Sequence, residues 1–390
     1  MFQETAQSNF DLIVIGGGIH GLMVATLAAE KGQNALLIEK GAMGSAVSSA
    51  WFGILHGGLR YLQNLELLRY RESLRDRRWF MQNVPEHVSI MPFLLPLYGK
   101  GLKRASVFRL ALQIDALMSW DRNRATLPVL TLPKGRVIDP NDTKTAFPMV
   151  RPEGLEGAGL WHEAVSVDLA GLFAALVDQA KAKGVTIIAH CEATELLVQN
   201  GKAVGVACAK AAQQQFFAPT VINSTGPWVE TLAARFDPKY RPQHGLSLAF
   251  NLVLNRPAPS SCAVSVTPPG PDRDMMFLYP LDDKTCFAGT GYTPLQGDLG
   301  SLKLPSNTLT DFIDAINAAI PGYNLTPGEV SFQTCGVLPT KNINSTALLE
   351  RGRIVDHGLD QGPKGLFTQI GTKFTTARSA AARALSIAGP

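Results

Sequence analysis

A glycine-rich turn between an apolar strand and a helix constrains the fold of this chain more than any other feature. Residues 11–22 are DLIVIGGGIHGL, in which Asp11 to Ile15 predict a short buried strand. Leu22 to Lys31 predict an alanine-rich helix, and Ala35 to Ile38 predict the next strand, which Glu39 follows directly. The segment therefore predicts a βαβ unit with a glycine turn at the start of its helix.

The residue types in this turn suit a dinucleotide. Gly16 permits the tight turn, Gly18 lets the backbone approach a pyrophosphate, and Gly21 lets the helix pack on the strand. The helix N-terminus faces the phosphates, and the Glu39 carboxylate is placed to accept hydrogen bonds from a ribose. The sequence therefore predicts a dinucleotide site rather than a glycine-rich turn without a ligand.

Length and composition limit the remaining possibilities. A chain of 390 residues that is 46% hydrophobic predicts two domains. A net charge of +4 suits an anionic substrate but is too small to indicate nucleic acid binding. The five cysteines include no CxxC pair, which predicts a reduced protein without a metal site. Because no stretch reaches the ~20 apolar residues of a membrane-spanning helix, we expect a cytoplasmic protein.

The rest of the chain alternates between helical and strand-rich segments. Apolar spacing predicts helices from about Leu65 to Met81, from Ala105 to Trp120 and from Asp168 to Lys183. Short runs from Val185 to Phe217 predict a small β-meander, and the region from Leu246 to Leu338 is strand-rich. The expected apolar face of the second helix consists of Val107, Leu110, Ala111, Ile114, Leu117 and Met118.

Near its end the chain repeats the order of strand, glycine turn and helix. We therefore predict a discontinuous nucleotide-binding domain, formed by residues 8–90, 161–240 and 345–390. Residues 91–160 and 241–344 are predicted to form a second domain, built on an antiparallel sheet, that binds the substrate. The predicted fold class is α/β, with a Rossmann-like domain that carries a β-meander and an α+β second domain.

Five further motifs follow the glycine turn in a fixed order. They are SSAWFGILHGGLRYL at 48–62, NSTGPW at 223–228, GT at 289–290, GVLP at 336–339 and GTKFTT at 371–376. In this order they resemble the FAD-dependent glycerol-3-phosphate dehydrogenases, which belong to the D-amino-acid-oxidase-like flavoprotein superfamily. The resemblance covers nearly the whole chain and implies FAD as the cofactor, with hydride transfer from a substrate carbinol carbon to the flavin.

The resemblance also implies the residues that bind FAD. In the first part of the chain they are Ile15, Gly16, Gly18, Ile19, His20, Gly21, Glu39, Lys40, Ser45, Ser48, Ser49, Leu55 and Gly57. Farther along they are Ala193, Ser224, Thr225, Gly226, Trp228, Gly371, Thr372, Lys373, Phe374 and Thr375.

Four polar residues in these motifs are predicted to carry the chemistry. His56 and Lys373 are the catalytic candidates, since either could assist proton removal from the substrate. Lys373 also precedes the last predicted helix, where its charge could stabilise the reduced flavin. Arg60 and Tyr61 are predicted to bind the anionic end of the substrate. The alternatives are a structural histidine, a surface lysine and an exposed arginine at a helix start.

Departures from the family pattern leave the substrate open. Leu338 occupies the position of an arginine in the family's Gly-Val-Arg-Pro and is expected to lie at the substrate. A leucine cannot supply a charged hydrogen bond to a phosphate, which contributes roughly 1.5–3 kcal/mol. Trp51-Phe52-Gly53 replaces the family's Ser-Ser-Lys, and the family's usual C-terminal helical domain is missing.

We therefore expect a small anionic polyol as the substrate. The alternatives are a 2-hydroxy acid or an amino acid, and a non-catalytic subunit that only binds flavin.

A basic segment beside an amphipathic helix leaves the electron acceptor open. Lys100, Lys103 and Arg104 precede the helix predicted to start at Ala105, an arrangement that suits peripheral contact with the inner face of a membrane and access to quinone. The interpretation that we prefer is a helix packed against its own domain. Quinone, oxygen or another protein could each accept the electrons.

Overall fold

Three β-sheets organise the part of the chain that the structure describes. The structure is a computed structural model that describes residues 10–99, 101, 104–209, 214–270, 273–295, 298–300 and 302–389. Lys100 and Lys103 of the basic segment lie outside the described residues.

The first sheet has six strands, and the glycine turn follows one of its central strands. In spatial order the strands are β17 (Arg353–Asp356), β18 (Leu366–Ile370), β11 (Thr220–Asn223), β1 (Leu12–Ile15), β2 (Ala35–Ile38) and β7 (Thr186–Ile188). Neighbouring strands are parallel, apart from β17, which runs antiparallel to β18. All residues of β1 and β2 are buried, as expected of parallel strands covered on both faces. The predicted Rossmann-like sheet is confirmed.

Helices cover one face of this sheet and form its largest apolar core. They are α1 (Ile19–Glu30), α6 (Leu169–Ala182) and α9 (Ala377–Ala388). Helix α1 begins at Ile19, earlier than the predicted Leu22, because Gly18 already has the extended backbone of a residue that caps a helix. The N-terminus of α1 therefore lies directly beside the glycine turn.

The other face of the sheet packs against α7 (Val229–Phe236) and a small antiparallel meander. The meander consists of β8 (Glu192–Gln199), β9 (Lys202–Ala209) and β10 (Gln214–Phe217). The segment Val185 to His190 does not belong to it, contrary to prediction. Its strand β7 pairs in parallel with β2, placing Ile187 beside Leu37 in the six-stranded sheet.

The third sheet has nine strands and is antiparallel except where β13 meets β4. Its strands in spatial order are β16 (Val330–Pro339), β12 (Leu246–Leu254), β15 (Cys286–Pro294), β14 (Met276–Pro280), β13 (Ala263–Val266), β4 (Ser89–Leu97), β6 (Gly157–Val165) and β3 (Ile54–Leu55), with β5 (Arg136–Ile138) beside β6. Its core includes α8 (Ser306–Ala319), and α5 (Pro140–Ala146) packs near β6. The predicted antiparallel sheet is confirmed. The division into two domains stays a prediction, and its boundaries after residues 90 and 160 fall inside β4 and β6.

Three helices lie beside β4 and β6: α2 (Leu59–Gln63), α3 (Leu67–Asn83) and α4 (Ala105–Met118). Helix α4 packs through Phe108 and Leu112 against Leu95 and Leu97 of β4. The face expected to be buried is instead largely exposed. The buried residues of α4, Phe108 and Leu112, each follow by one position a residue of the predicted face, Val107 and Ala111. Its exposed apolar side chains are those of Val107, Leu110, Ile114 and Leu117. No helix among the described residues is long and apolar enough to cross a bilayer.

Candidate active site

A cavity of about 960 Å³ is lined by residues of both large sheets. The glycine turn after β1 lies on one side, and β12, β15 and β16 contribute to the other. Of the residues predicted to bind cofactor or substrate, those that line the cavity are Ile15, Gly16, Gly18, Ile19, His20, Glu39, Lys40, Ser45, Ser48, His56, Arg60, Tyr61, Ala193, Ser224, Thr225, Gly226, Trp228, Leu338, Gly371, Thr372, Lys373, Phe374 and Thr375.

Four of the predicted residues lie outside the cavity wall, for local reasons. Leu55 is fully buried in the apolar core. Gly21 faces the glycine turn, since a Cβ atom there would lie 2.0 Å from the Gly16 carbonyl oxygen. The Ser49 hydroxyl donates to the Ala46 carbonyl at 2.7 Å. The Gly57 N–H donates to the Glu163 carboxylate at 2.8 Å.

The glycine turn packs tightly on the end of β11. Gly16 has a φ of +109°, and a Cβ atom there would lie 2.6 Å from the carbonyl oxygen of Ser224. The turn therefore has room for glycine only at this position.

Two side chains hold the backbone around the turn. Glu39 accepts hydrogen bonds from the Gly17 N–H at 2.6 Å and from the Gly41 N–H at 2.7 Å. The Ser48 hydroxyl oxygen accepts a hydrogen bond from the first amide of α1, that of Ile19, at 2.9 Å. Both side chains thus fix the backbone around the N-terminus of α1, whose partial positive charge lies at the cavity wall.

The loop after β18 closes the cavity against α1. A Cβ atom on Gly371 would lie 2.3 Å from the His20 ring, so the ring packs directly on the backbone of this loop. Phe374 stacks on Trp51 with the two rings parallel and 4.1 Å apart. Sequence reasoning treated Trp51 only as a departure from a family pattern, although an aromatic residue in a small-residue loop could have drawn attention to it.

Several buried polar atoms around the cavity test whether a polar ligand fits there. Among the described residues, His20 Nδ1, Trp51 Nε1, His244 Nε2 and Gln369 Nε2 are buried without a hydrogen-bond partner, and all four residues line the cavity. Buried polar groups without partners are rare in native proteins. Together with the glycine turn and the N-terminus of α1 at the cavity wall, they fit a large ligand that carries phosphates and heteroaromatic rings.

The predicted chemical residues meet at one end of the cavity. His56 opens onto the cavity, and its ring centroid lies 5.9 Å from that of Phe277. The Lys373 ammonium donates a short hydrogen bond to the Tyr61 hydroxyl. Arg60 lies on the exposed side of α2, and Leu338 lies on β16 in the cavity wall. Sequence positions more than 300 residues apart thus form one group.

The electrostatic environment keeps His56 neutral. Desolvation inside the cavity, away from bulk water, and three cations together lower the pKa of His56 from 6.5 to about 3. The cations are Lys373, Arg60 and Arg77. A neutral imidazole is available as a proton acceptor near pH 7, but its lowered pKa makes it a weak base. An anionic substrate attracted by Arg60 and Lys373 would offset these cations and so strengthen the base.

A buried ion pair under the His56 loop was missed by sequence reasoning. Arg77 of α3 donates to the Glu163 carboxylate of β6 at 2.5 Å, and both side chains are less than a tenth exposed. The spacing of Tyr70, Leu74 and Arg77 on one helix face could have indicated that this arginine points inward.

Within the described residues no cluster of histidine, cysteine, aspartate and glutamate could hold a metal ion.

Comparisons with known proteins agree with this geometry. The family model described as FAD dependent oxidoreductase matches residues 11–382. An alpha-glycerophosphate oxidase from Streptococcus pyogenes is 29% identical over 354 residues, covering 88% of this chain and 56% of that protein. A glycerol-3-phosphate dehydrogenase 1 from Mycobacterium bovis is 30% identical over 377 residues, covering 94% of this chain and 70% of that protein.

The fold is also similar to a solved structure. A glycerol-3-phosphate dehydrogenase from Bacillus halodurans, solved in complex with FAD, superposes with a TM-score of 0.72 at 22% identity, covering 99% of this chain and 65% of that chain. The match to the streptococcal oxidase spans 56% of that protein's length, little more than half.

Proposed function

We propose that this chain, which belongs to the family of FAD-dependent oxidoreductases, oxidises a small anionic polyol. Glycerol 3-phosphate is the first candidate. The observation that carries the proposal is the meeting of His56, Arg60, Tyr61 and Lys373 at one end of the cavity. Cations around a neutral base suit an alcohol that carries a negative charge, because one group binds the anion and the other accepts the hydroxyl proton. The names of the streptococcal and mycobacterial relatives support the same substrate.

FAD fits the cavity and, when bound, supplies the two-electron acceptor for the substrate. The residues that would hold it are the glycine turn, the N-terminus of α1 and the loop around Gly371. Glu39 already binds two backbone amides, so its remaining lone pairs are the ones available to a ribose.

The remaining steps, binding the anion and accepting the proton, fall to side chains of this protein. His56 takes the proton of the substrate hydroxyl, since its imidazole is neutral and the bound anion offsets the cations that lower its pKa. Arg60 and Lys373 hold the anionic group, and Tyr61 orients the Lys373 ammonium. Leu338 carries no charge, so Arg60 and Lys373 are the cations proposed to bind the anion.

Glycerol 3-phosphate is expected to bleach the visible flavin band of the wild-type protein when the two are mixed without oxygen. In Arg60→Leu the concentration for half-maximal rate should rise roughly 10- to 150-fold, the equivalent of one charged hydrogen bond. Stopped-flow absorbance at several substrate concentrations measures both quantities.

Arg273→Leu is the matched control, since Arg273 carries the same charge but does not line the cavity. A wild-type flavin that dithionite reduces and glycerol 3-phosphate does not would contradict the proposed substrate. Reduction by a 2-hydroxy acid or an amino acid would then support the second candidate. If none of these compounds reduced the flavin, the protein would be a non-catalytic subunit.

An exposed apolar surface on α4 supports a further part of the proposal, contact with a membrane. This surface, called the α4 patch, consists of Val107, Leu110, Ile114, Leu117 and Trp120, all of them exposed. Contiguous exposed apolar side chains usually mark an interaction site.

A second group of exposed leucines adjoins the patch. They are Leu65, Leu67 and Leu68. Arg71, one helix turn beyond Leu67, donates to the Met118 carbonyl at the end of α4. The first turns of α3 therefore lie near the end of α4.

The charge beside the patch favours a lipid surface. Arg104 and Arg109 are exposed at the start of α4, and cations next to an apolar helix face suit anionic phospholipid. We therefore assign the α4 patch to peripheral binding of an anionic membrane, which would bring the site close to a quinone.

Replacing both Leu110 and Leu117 with glutamate is expected to weaken binding to phosphatidylglycerol-containing vesicles by about tenfold or more, since burying each leucine contributes about 1.5–3 kcal/mol. Vesicle co-sedimentation measures this. Leu359→Glu changes an equally exposed leucine outside the patch and should have no effect. Wild-type protein that stays in the supernatant with these vesicles would overturn the assignment.

A further inference from the structure

The loop that carries His56 begins where a β-ladder stops. Strand β3 pairs with β6 at only two positions, and the second joins Leu55 to Ala164. Continued pairing would place His56 opposite Glu163. Instead the Glu163 side chain accepts the next amide of the loop, the Gly57 N–H, at 2.8 Å.

Three elements converge on this carboxylate. Glu163 accepts from Arg77 of α3 at 2.5 Å and, through its other oxygen, from the Trp161 indole at 3.3 Å. The loop amide of Gly57 is the third donor. The three donors offset part of the cost of burying Glu163, and burial still raises the pKa of its carboxyl group above the usual value.

Arg77 also limits where the loop can lie. A Cβ atom on Gly57 would lie 2.2 Å from an Arg77 guanidinium nitrogen, so the guanidinium rests directly on the Gly57 backbone. The following residue, Gly58, has a φ of +85° and begins α2. The backbone of the loop is thus held on one side by Arg77 and by hydrogen bonding to Glu163.

We propose that the buried Arg77–Glu163 pair is a positioning device for His56, which fixes the loop geometry through Glu163 and adds positive charge beside the imidazole through Arg77. This inference rests on the proposed role of His56 as proton acceptor. The charged groups that face His56 are Arg60 of α2, Arg77 of α3, Glu163 of β6 and Lys373 before α9.

The two members of the pair have different expected effects, which separates positioning from mere stability. Glu163→Gln keeps the shape of the side chain but weakens its hold on the loop, and Arg77→Met removes the positive charge. Both variants should reduce the rate constant of flavin reduction about 10- to 100-fold, because small displacements of a reacting group are costly. Only Arg77→Met should raise the pKa of His56, because it alone removes a cation that disfavours the imidazolium.

Two measurements on the FAD-loaded protein test this. Anaerobic stopped flow gives the rate constants, and NMR of protein with 13C-labelled histidine rings gives the pKa of His56, whose signal is identified by its loss in His56→Gln. Asp121→Asn is the matched control, since Asp121 binds Arg71 and Arg78 of the same helix away from the cavity. It should leave both readouts unchanged.

The outcomes separate this inference from the proposed substrate. The histidine titration needs no substrate, so a rise of the His56 pKa in Arg77→Met alone supports the pair even if glycerol 3-phosphate fails to reduce the flavin. An unchanged His56 signal in both variants overturns the inference. Rate effects no larger than those of Asp121→Asn, in a wild-type protein that the substrate does reduce, overturn it as well.

Discussion

Replacing His56 with glutamine is expected to slow reduction of the bound flavin by substrate about 10²- to 10⁴-fold, the usual contribution of a positioned general base. Glutamine approximates the size of the imidazole and keeps a hydrogen-bonding group, but it cannot accept a proton near neutral pH. The cavity should therefore keep its FAD, and anaerobic stopped flow measures the loss.

The pH dependence of the wild-type rate tests the same role. The pKa of His56 is lowered to about 3, so the imidazole is already neutral at pH 7 and stays neutral as the pH falls through 6.5. Ionisation of His56 should therefore add no decline with a midpoint near 6.5, the value of an unperturbed histidine. Because a phosphate monoester itself titrates at about pH 6, the profile of His56→Gln serves as the reference. A decline in the wild type that His56→Gln lacks, or a His56→Gln rate equal to that of the control variant His162→Gln, would contradict the assignment.

Gly16→Ala is expected to yield protein purified largely without FAD. The new methyl group would lie 2.6 Å from the Ser224 carbonyl oxygen at a φ of +109°, so the turn must move away from β11. Strain and overpacking together should lower the free energy of unfolding by at least about 2 kcal/mol. The ratio of flavin to protein absorbance gives the FAD content, and urea denaturation gives the stability.

Gly32→Ala separates the two causes. Gly32 also has a positive φ, +82°, but no atom lies within 4 Å of a Cβ atom placed there. This variant carries backbone strain alone and should retain FAD. A Gly16→Ala protein as yellow as the wild type would show that the turn does not contact the cofactor.

Elements that depend on neighbouring residues could be predicted from the sequence. The unit of β1, α1 and β2 needs only an apolar run, a glycine turn and a second apolar run, so its strands were predicted within a residue and only the helix start was late. The glycine motifs likewise identified the family, which the match over residues 11–382 confirms. The contacts of individual residues with FAD stay predictions.

Features that depend on distant partners could not be predicted in this way. Strand β7 is predicted to join the meander because its own residues do not indicate that it pairs with β2. The apolar face of α4 was expected to be buried, since periodicity shows that a face exists but not what covers it. The spacing of Arg77 with Tyr70 and Leu74 indicates an inward arginine, but nothing near it in the sequence identifies Glu163, 86 positions away, as its partner.

The wall of the cavity also links the supply of flavin to the amount of folded protein. Strands β1, β11 and β18 meet around the glycine turn, although they come from widely separated parts of the sequence. Closing the long loops between these strands costs conformational entropy, which the contacts must offset. A ligand that binds only the completed arrangement stabilises it by mass action. A shortage of FAD would therefore lower the amount of folded protein as well as the amount of bound flavin.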